Sequence, residues 1–452
     1  MRARAFALSF GLIALGGGEA IAQTQRIDTF TTPSGIEVWH VPSPGLPIVA
    51  IQAAIPDAGV QDNPAQQGLA GAVAALMTKG AGDLDAEGFR LALEDLNAGL
   101  SVSANNDWAS AALTVVSWNL EPAADLMRTV LLEPRFDADE VALWRSRTEI
   151  ALDQAETNPG VLAGRAMAAL MTPDHPYARY ATRETLARLD EAALREGHAR
   201  YFTRDALIVT AVGEVDQDRL AQAVDHMFAD LPQLAPAATD PSVATPKPPA
   251  LVVKPLPQPQ SLIRFAAPGI DDEDPDWYAA RVAAYIVGGG GLTSRLITRL
   301  RKDAGLVYSG GLGLRTARYS DTIEGNTSTD NATAAQTMSE IKAVLGKFAA
   351  QGPTAEEVDD AKAYLTGVYP LAFDSNIKIA NRLSQLRASD LPIDYWSKHT
   401  GYIEAVTQAD VARVAKRLFH PSRFSFVVVG EPKGLGDNAS DAVDPTPDSP
   451  AP

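Results

Sequence analysis

This chain is written twice, and any fold it adopts must accommodate both copies. Residues 199–214 read Ala-Arg-Tyr-Phe-Thr-Arg-Asp-Ala-Leu-Ile-Val-Thr-Ala-Val-Gly-Glu. Residues 416–431 read Lys-Arg-Leu-Phe-His-Pro-Ser-Arg-Phe-Ser-Phe-Val-Val-Val-Gly-Glu. Without gaps, Arg200 falls on Arg417, Phe202 on Phe419, and Val212-Gly213-Glu214 on Val429-Gly430-Glu431, an offset of 217. At the same offset Asp139-Glu140-Val141 faces Glu356-Glu357-Val358. Near the start of each copy, Ala53-Ala54-Ile55-Pro56 resembles Ala266-Ala267-Pro268. Each is followed by an acidic loop ending in Pro64 or Pro275, and then by a helix. Matches in one order at nearly one offset indicate two homologous domains, 27–235 and 259–432. Residues 236–258, rich in Pro, Ala and Thr, read as a stiff linker. Residues 433–452, rich in Asp, Pro and Ser, are expected to be disordered.

Hydrophobic periodicity gives each copy one coarse pattern. In the first, Gly35–His40 and Ile48–Ile55 read as strands, and Gln66–Thr78 as an almost wholly apolar, buried helix. Ala86–Asn97 reads as an amphipathic helix, and Ser101–Ala104 and Ser110–Trp118 alternate like sheet strands. Helices follow at Pro122–Leu132, Ala138–Ala155, Val161–Met171 and Glu191–Phe202, and Leu207–Val212 closes the sheet. Strands followed by runs of helices predict an α+β fold, with a largely antiparallel sheet flanked by helices in each domain.

Composition excludes some functions. With no cysteine there is no disulfide framework, no Cys-ligated zinc and no thiol nucleophile. A net charge of −17 argues against nucleic acid, whose binding needs clustered Lys and Arg. The first 22 residues have the parts of a secretory signal peptide. Arg2 and Arg4 precede the apolar run Ala5–Leu15, and Ala20-Ile21-Ala22 forms a small-x-small cleavage site. A transmembrane anchor is the other reading, for which the run is short. The signal suits export to a bacterial periplasm, and no later stretch is long and apolar enough to span a bilayer.

Two segments carry the chemistry. Residues 68–80 read Gly-Leu-Ala-Gly-Ala-Val-Ala-Ala-Leu-Met-Thr-Lys-Gly. In the second copy, four glycines at 288–291 lead into Leu292-Thr293-Ser294-Arg295-Leu296, a helix to about Lys302, and then Gly305-Leu306-Val307-Tyr308 at a strand start. A phosphate loop would need Gly-Lys-Ser/Thr after the glycines, and none follows. Both segments resemble the pitrilysin/insulinase zinc peptidases. The first matches their zinc helix, G-L-A-H-x-x-E-H-x-x-x-K-G, at Gly68, Leu69, Ala70, Lys79 and Gly80. The second matches their GGGxxSRLxxxLRxxxGLxY stretch. That resemblance covers residues 27–432 and implies a pitrilysin-like metallohydrolase fold.

What the resemblance implies about activity is a division of labour. In the family, two His at i and i+4 hold zinc, and the Glu between them is the base. Here those positions are Gly71, Ala75 and Ala74, so no catalytic or metal-binding residue is expected on this chain. Glu149, in Arg147-Thr148-Glu149-Ile150, falls where the family's third ligand lies; it is either a relic or an ordinary solvated or paired helix residue. The six His form no helix-spaced pair. Arg301 and Tyr308 fall on the family's substrate-binding Arg/Tyr pair. The alternative is that Arg301 complements the helix dipole and Tyr308 is half-buried sheet. Arg295 and Arg299 share the helix and stay unassigned. The resemblance therefore implies a non-catalytic, substrate-binding subunit of a heterodimeric periplasmic peptidase. An HxxEH-bearing homologous partner would supply the zinc and the base. The alternative is a stand-alone peptide-binding or scaffold protein of the same fold.

Overall fold

Two sheets of matching strand order, each packed against helices, make up the computed structural model, which describes residues 26–233 and 242–435. The expected signal peptide and residues 436–452 of the expected tail lie outside the described residues. The first half runs β1 (Asp28–Thr31), β2 (Glu37–Pro42), β3 (Ile48–Pro56), α1 (Leu69–Met77), the short pair β4 (Gly80–Ala81) and β5 (Leu84–Asp85), and α2 (Ala86–Asp95). It continues through β6 (Gly99–Ala104), β7 (Trp108–Val116), α3 (Leu120–Leu132), α4 (Ala138–Ala155), α5 (Pro159–Met171), α6 (Arg183–Ala187), α7 (Glu191–Tyr201), β8 (Ile208–Gly213) and α8 (Gln217–Phe228). The second half holds β9 (Leu251–Pro255), β10 (Gln260–Pro268), α9 (Trp277–Ala284), α10 (Arg295–Ile297), β11 (Gly310–Arg315), β12 (Thr322–Asp330) and α11 (Ala334–Gln351). It ends with α12 (Ala355–Gly367), α13 (Asn376–Ala388), α14 (Tyr395–Ala405), α15 (Gln408–Leu418) and β13 (Ser425–Gly430).

The first sheet has the order β1-β2-β8-β3-β7-β6 and the second β11-β12-β10-β13-β9. Read from its other edge, the second repeats the first: β9, β13, β10, β12 and β11 stand where β2, β8, β3, β7 and β6 do. In each sheet one pair is parallel, β2 with β8 and β9 with β13, and the other pairs are antiparallel. The fold is α+β, as the sequence predicts. Three elements recur with both ends shifted by 217: α5 and α13, α7 and α15, β8 and β13.

The repeated Val-Gly-Glu has a steric cause. Gly213 and Gly430 have φ of +152° and +149°, a region open essentially to glycine alone. A Cβ on Gly213 would lie 2.3 Å from the Ile48 carbonyl oxygen, and one on Gly430 2.9 Å from Ser261 Cα. Each glycine lets the closing strand leave the sheet against the start of β3 or β10.

One segment differs from its sequence reading. Leu251–Pro255, inside the stretch read as linker, is β9 and pairs in parallel with β13. Its Leu-Val-Val core is apolar, and Pro255 at its end, like the neighbouring prolines at 248, 249 and 257, is tolerated because β9 is an edge strand.

The halves exchange helices. From the first half, α5 lies on the second sheet, where Ala163, Met167, Leu170 and Met171 pack with Val252, Ala266, Val427 and Val429. From the second half, α13 lies on the first sheet, where Ile379, Ala380 and Leu383 pack with Val41, Ala50 and Val212. Polar contacts fix the register of α13. Thr210 Oγ1 donates to the Ala380 carbonyl at 2.9 Å, and Asn376 Nδ2 to the Ile48 carbonyl at 2.9 Å. Beside this core, His399 of α14 is buried and stacks on Tyr369 at 3.9 Å between ring centroids. Its Nε2 accepts from Arg281 Nη1 at 2.8 Å. Burial, and then Arg281 and Arg382, push its pKa down to about 3.

Leu383→Ala should cost about 2–5 kcal/mol of unfolding free energy, as for other buried Leu→Ala changes, read by chemical denaturation. The folded His399 resists protonation, so its contribution is present above pH 6.5 and is lost as pH falls from there toward about 3. The loss is at most about 1.4 kcal/mol per pH unit. His399→Gln cannot titrate, so the stability gap between wild type and variant should narrow on acidification across that window.

Candidate functional site

The degenerate zinc helix is α1. Buried Asp62 holds its N-terminus, its carboxylate accepting from Gly68 N at 2.8 Å, Ala70 N at 3.2 Å and Tyr201 Oη at 2.6 Å. Burial raises the Asp62 pKa, with those hydrogen bonds opposing the shift. The helix is inserted in the core: Leu69, Ala70, Ala72, Val73, Leu76 and Met77 are all buried. Gly71 and Ala75, one turn apart, are exposed together on the remaining face, while Ala74 is only 1% exposed. A Cβ on Gly71 would meet nothing within 4 Å. The ligand positions therefore still face open space, but no side chain there can bind a metal or take a proton.

Glu149, on α4, is committed elsewhere. Its carboxylate lies 3.5 Å from Arg183 Nη1, and Arg183 Nη2 also pairs with Asp153 at 2.6 Å. The structure thus gives Glu149 the role of a paired helix residue. Arg183 carries no local sequence signal for this, because its partners lie on another helix. Among the described residues no group of three or more His, Cys, Asp or Glu is placed to hold a metal ion. The residues of α1 and Glu149 do not fit zinc.

The second segment is built around backbone proximity. After α9 the helix widens into a π-turn at Tyr285–Gly289, which packs against β11. A Cβ on Gly288 would lie 2.4 Å from Leu312 N, so glycine is required for this approach. Past the short α10, a second π-turn spans Thr298–Asp303 and carries Arg301. Such turns recur at functional sites.

Ion pairing separates the three arginines. Arg295 makes a two-pronged pair with Glu357 at 2.7 and 2.6 Å and also donates to the Gly352 carbonyl. Arg299 pairs in the same way with Glu340 at 2.9 and 2.7 Å. Arg301 makes neither an ion pair nor a side-chain hydrogen bond among the described residues. Its guanidinium carbon lies 4.6 Å from the Tyr308 ring centroid, a cation–π contact. Tyr308 is 79% exposed. It lies in the loop before β11 rather than at the strand start, because β12 grips this loop by side chains instead of a backbone ladder. Thr329 Oγ1 donates to the Leu306 carbonyl at 2.8 Å and Thr327 Oγ1 to the Ser309 carbonyl at 2.7 Å. Ladder pairing starts only at Gly310. The two sequence-predicted residues are therefore brought together, and both keep donors free for a ligand.

Residues 188–365 match the family described as "Peptidase M16 inactive domain". The "Non-peptidase homolog YmxG" of Helicobacter pylori is 24% identical over 421 residues, which is 92% of this chain and 96% of that protein. The chain is thus similar to non-catalytic pitrilysin-type proteins, with residues 188–365 resembling an M16 inactive domain. The "Uncharacterized zinc protease ML0855" of Mycobacterium leprae is 28% identical over 70% of this chain and 72% of its own length. The crystal structure of a peptidase M16 inactive domain from Pseudomonas fluorescens superposes with a TM-score of 0.84 at 25% identity, covering 90% of this chain and 98% of that one. The periplasmic protease PqqL of Escherichia coli shares the fold at a TM-score of 0.78 and 16% identity, over 90% of this chain and 45% of its own.

Purified wild-type chain should carry no zinc by elemental analysis. Because the face at Gly71 is open, Gly71→His with Ala75→His should fold and acquire zinc binding, since two His at i and i+4 form a metal-binding pair.

Proposed function

We propose that this chain is the substrate-binding, non-catalytic subunit of a heterodimeric periplasmic zinc peptidase that degrades peptides. An HxxEH-bearing homologue supplies the zinc and the general base. The observation that carries this reading is the contrast between the arginines of one helical segment: Arg295 and Arg299 are consumed by ion pairs, whereas Arg301 rests on an exposed tyrosine ring. A guanidinium offers several donors in a fixed fork, and a phenol adds one more. Such donors suit the carbonyl oxygens of an extended peptide. Aimed at an oxygen where negative charge develops, they favour the transition state over the ground state. The partner would close the chamber, and its HxxEH residues would hold the zinc that supplies the hydrolytic chemistry, while Arg301 and Tyr308 of this chain hold the peptide. The N-terminal sequence, read as a secretory signal, supports a periplasmic location.

The test is reconstitution. The partner alone should be weakly active, and adding this chain should raise peptide cleavage. In the reconstituted complex, Arg301→Ala and Tyr308→Phe should each lower kcat/KM, by up to about 10²–10³-fold if the lost donor contacts the oxyanion. Zinc content of the complex should be unchanged. Full activity of the partner alone, or wild-type rates with both variants, would sink this reading.

A further inference from the structure

A cavity of about 960 Å³ opens between the halves, within the size range of pockets that enclose small ligands, roughly 300–1,000 Å³. Its walls come from the β6–β7 turn, β11 and the β11–β12 loop, and α9, α13 and α14. Arg301 and Tyr308 do not line it.

Two guanidiniums line this cavity without a counter-ion. Arg281 of α9 donates to His399, and Arg382 of α13 donates from Nη1 to Gln385 Oε1 at 3.2 Å. Neither has an ion-pair partner among the described residues. The groups acting on Arg281 are the Tyr395, Tyr278 and Tyr369 phenols and the like-charged Arg382, so burial holds its pKa below the usual arginine range. His399 cannot neutralise either cation, because an imidazole is either neutral or cationic. Partly buried cations of this kind call for an anion, and the arginine fork matches a carboxylate.

The same cavity holds a separate acidic set. Exposed Asp271 and half-buried Asp272 precede α9, half-buried Asp321 precedes β12, and none of the three has a Lys or Arg partner among the described residues. Burial, then Asp271 and to a lesser degree Asp272, push Asp321 up to about 6. The three carboxylates do not form a group suited to a metal ion. Of the other charges lining the cavity, Arg318 pairs with Asp57, Asp107 accepts from Tyr177, and Glu273 and Asp390 are exposed. Cations without anions and anions without cations thus share one enclosure and do not pair with each other.

We propose that this cavity binds a short zwitterionic peptide, with its C-terminal carboxylate on Arg281 and Arg382 and its N-terminal ammonium among Asp271, Asp272 and Asp321. Trp277, Tyr285, Tyr395 and Trp396 supply aromatic walls for the chain between. The inference is independent of the substrate-gripping role, since it uses other residues and needs no partner.

The test is titration of tri-alanine into the full chain, followed by calorimetry and by the fluorescence of the tryptophans in the cavity wall. Saturable binding is expected. Amidation of the peptide C-terminus, or Arg382→Gln, should weaken it about tenfold or more, equivalent to about 1.4 kcal/mol, and Arg382→Lys should restore part of the loss. N-acetylation of the peptide, or Asp321→Asn, should weaken it as well. The loss caused by Arg382→Gln should be the same in an Arg301→Ala background, which separates this site from the substrate grip. Absence of saturable binding at millimolar peptide overturns the proposal. So does an amide that binds as well as the acid, or an unchanged affinity in a folded Arg382→Gln variant.

Discussion

The exchange of α5 and α13 is the interaction on which the rest of this structure depends. A sheet presents two apolar faces, and helices from its own half cover only one of them. The other is covered by the helix from the opposite half, with Met167 and Leu170 seated on one sheet and Ile379 and Leu383 on the other. Thr210, Asn376 and Arg387 then fix α13 through main-chain carbonyls, Arg387 reaching both Glu37 and Val209. Apolar burial supplies the attraction and the hydrogen bonds supply the register. Because the exchange is reciprocal, neither half reaches its observed packing alone.

Much of this was legible along the chain because it is local or because it recurs. Helix Ala138–Ala155 has the bounds read from the sequence, and the Val-Gly-Glu ends of β8 and β13 announce the repeat. The vacant zinc positions were legible too, since Gly71, Ala74 and Ala75 lack the chemistry whatever their surroundings. What stayed hidden depends on contacts between distant residues. No periodicity says which sheet α5 will cover. The prolines around Leu251–Pro255 resemble a linker until β13 is there to pair with it. The position of Tyr308 follows from two threonine hydroxyls on a neighbouring strand. The pairing of Glu149 with Arg183 crosses between helices.

The three arginines of 295–301 illustrate the same limit at a single site. They are one residue type on one short segment, and the resemblance singles out Arg301 without saying what holds the other two. Their roles are set by what α11 and α12 bring near. Glu340 and Glu357 capture Arg299 and Arg295, tying the segment to the body of the domain. Those two pairs anchor the backbone from which Arg301 projects. The fixed arginines are therefore part of what positions the free one.

The resting contact of Arg301 with Tyr308 sets how readily the pair can change partners. A partly exposed cation–π contact is worth about 0.5–1 kcal/mol, comparable to thermal energy. It keeps the guanidinium near one orientation, yet any ligand offering a pair of carbonyl oxygens can displace it at small cost. An ion pair in the same place would demand far more from an incoming peptide. The ring thus works as a parking place that leaves the guanidinium available to a ligand.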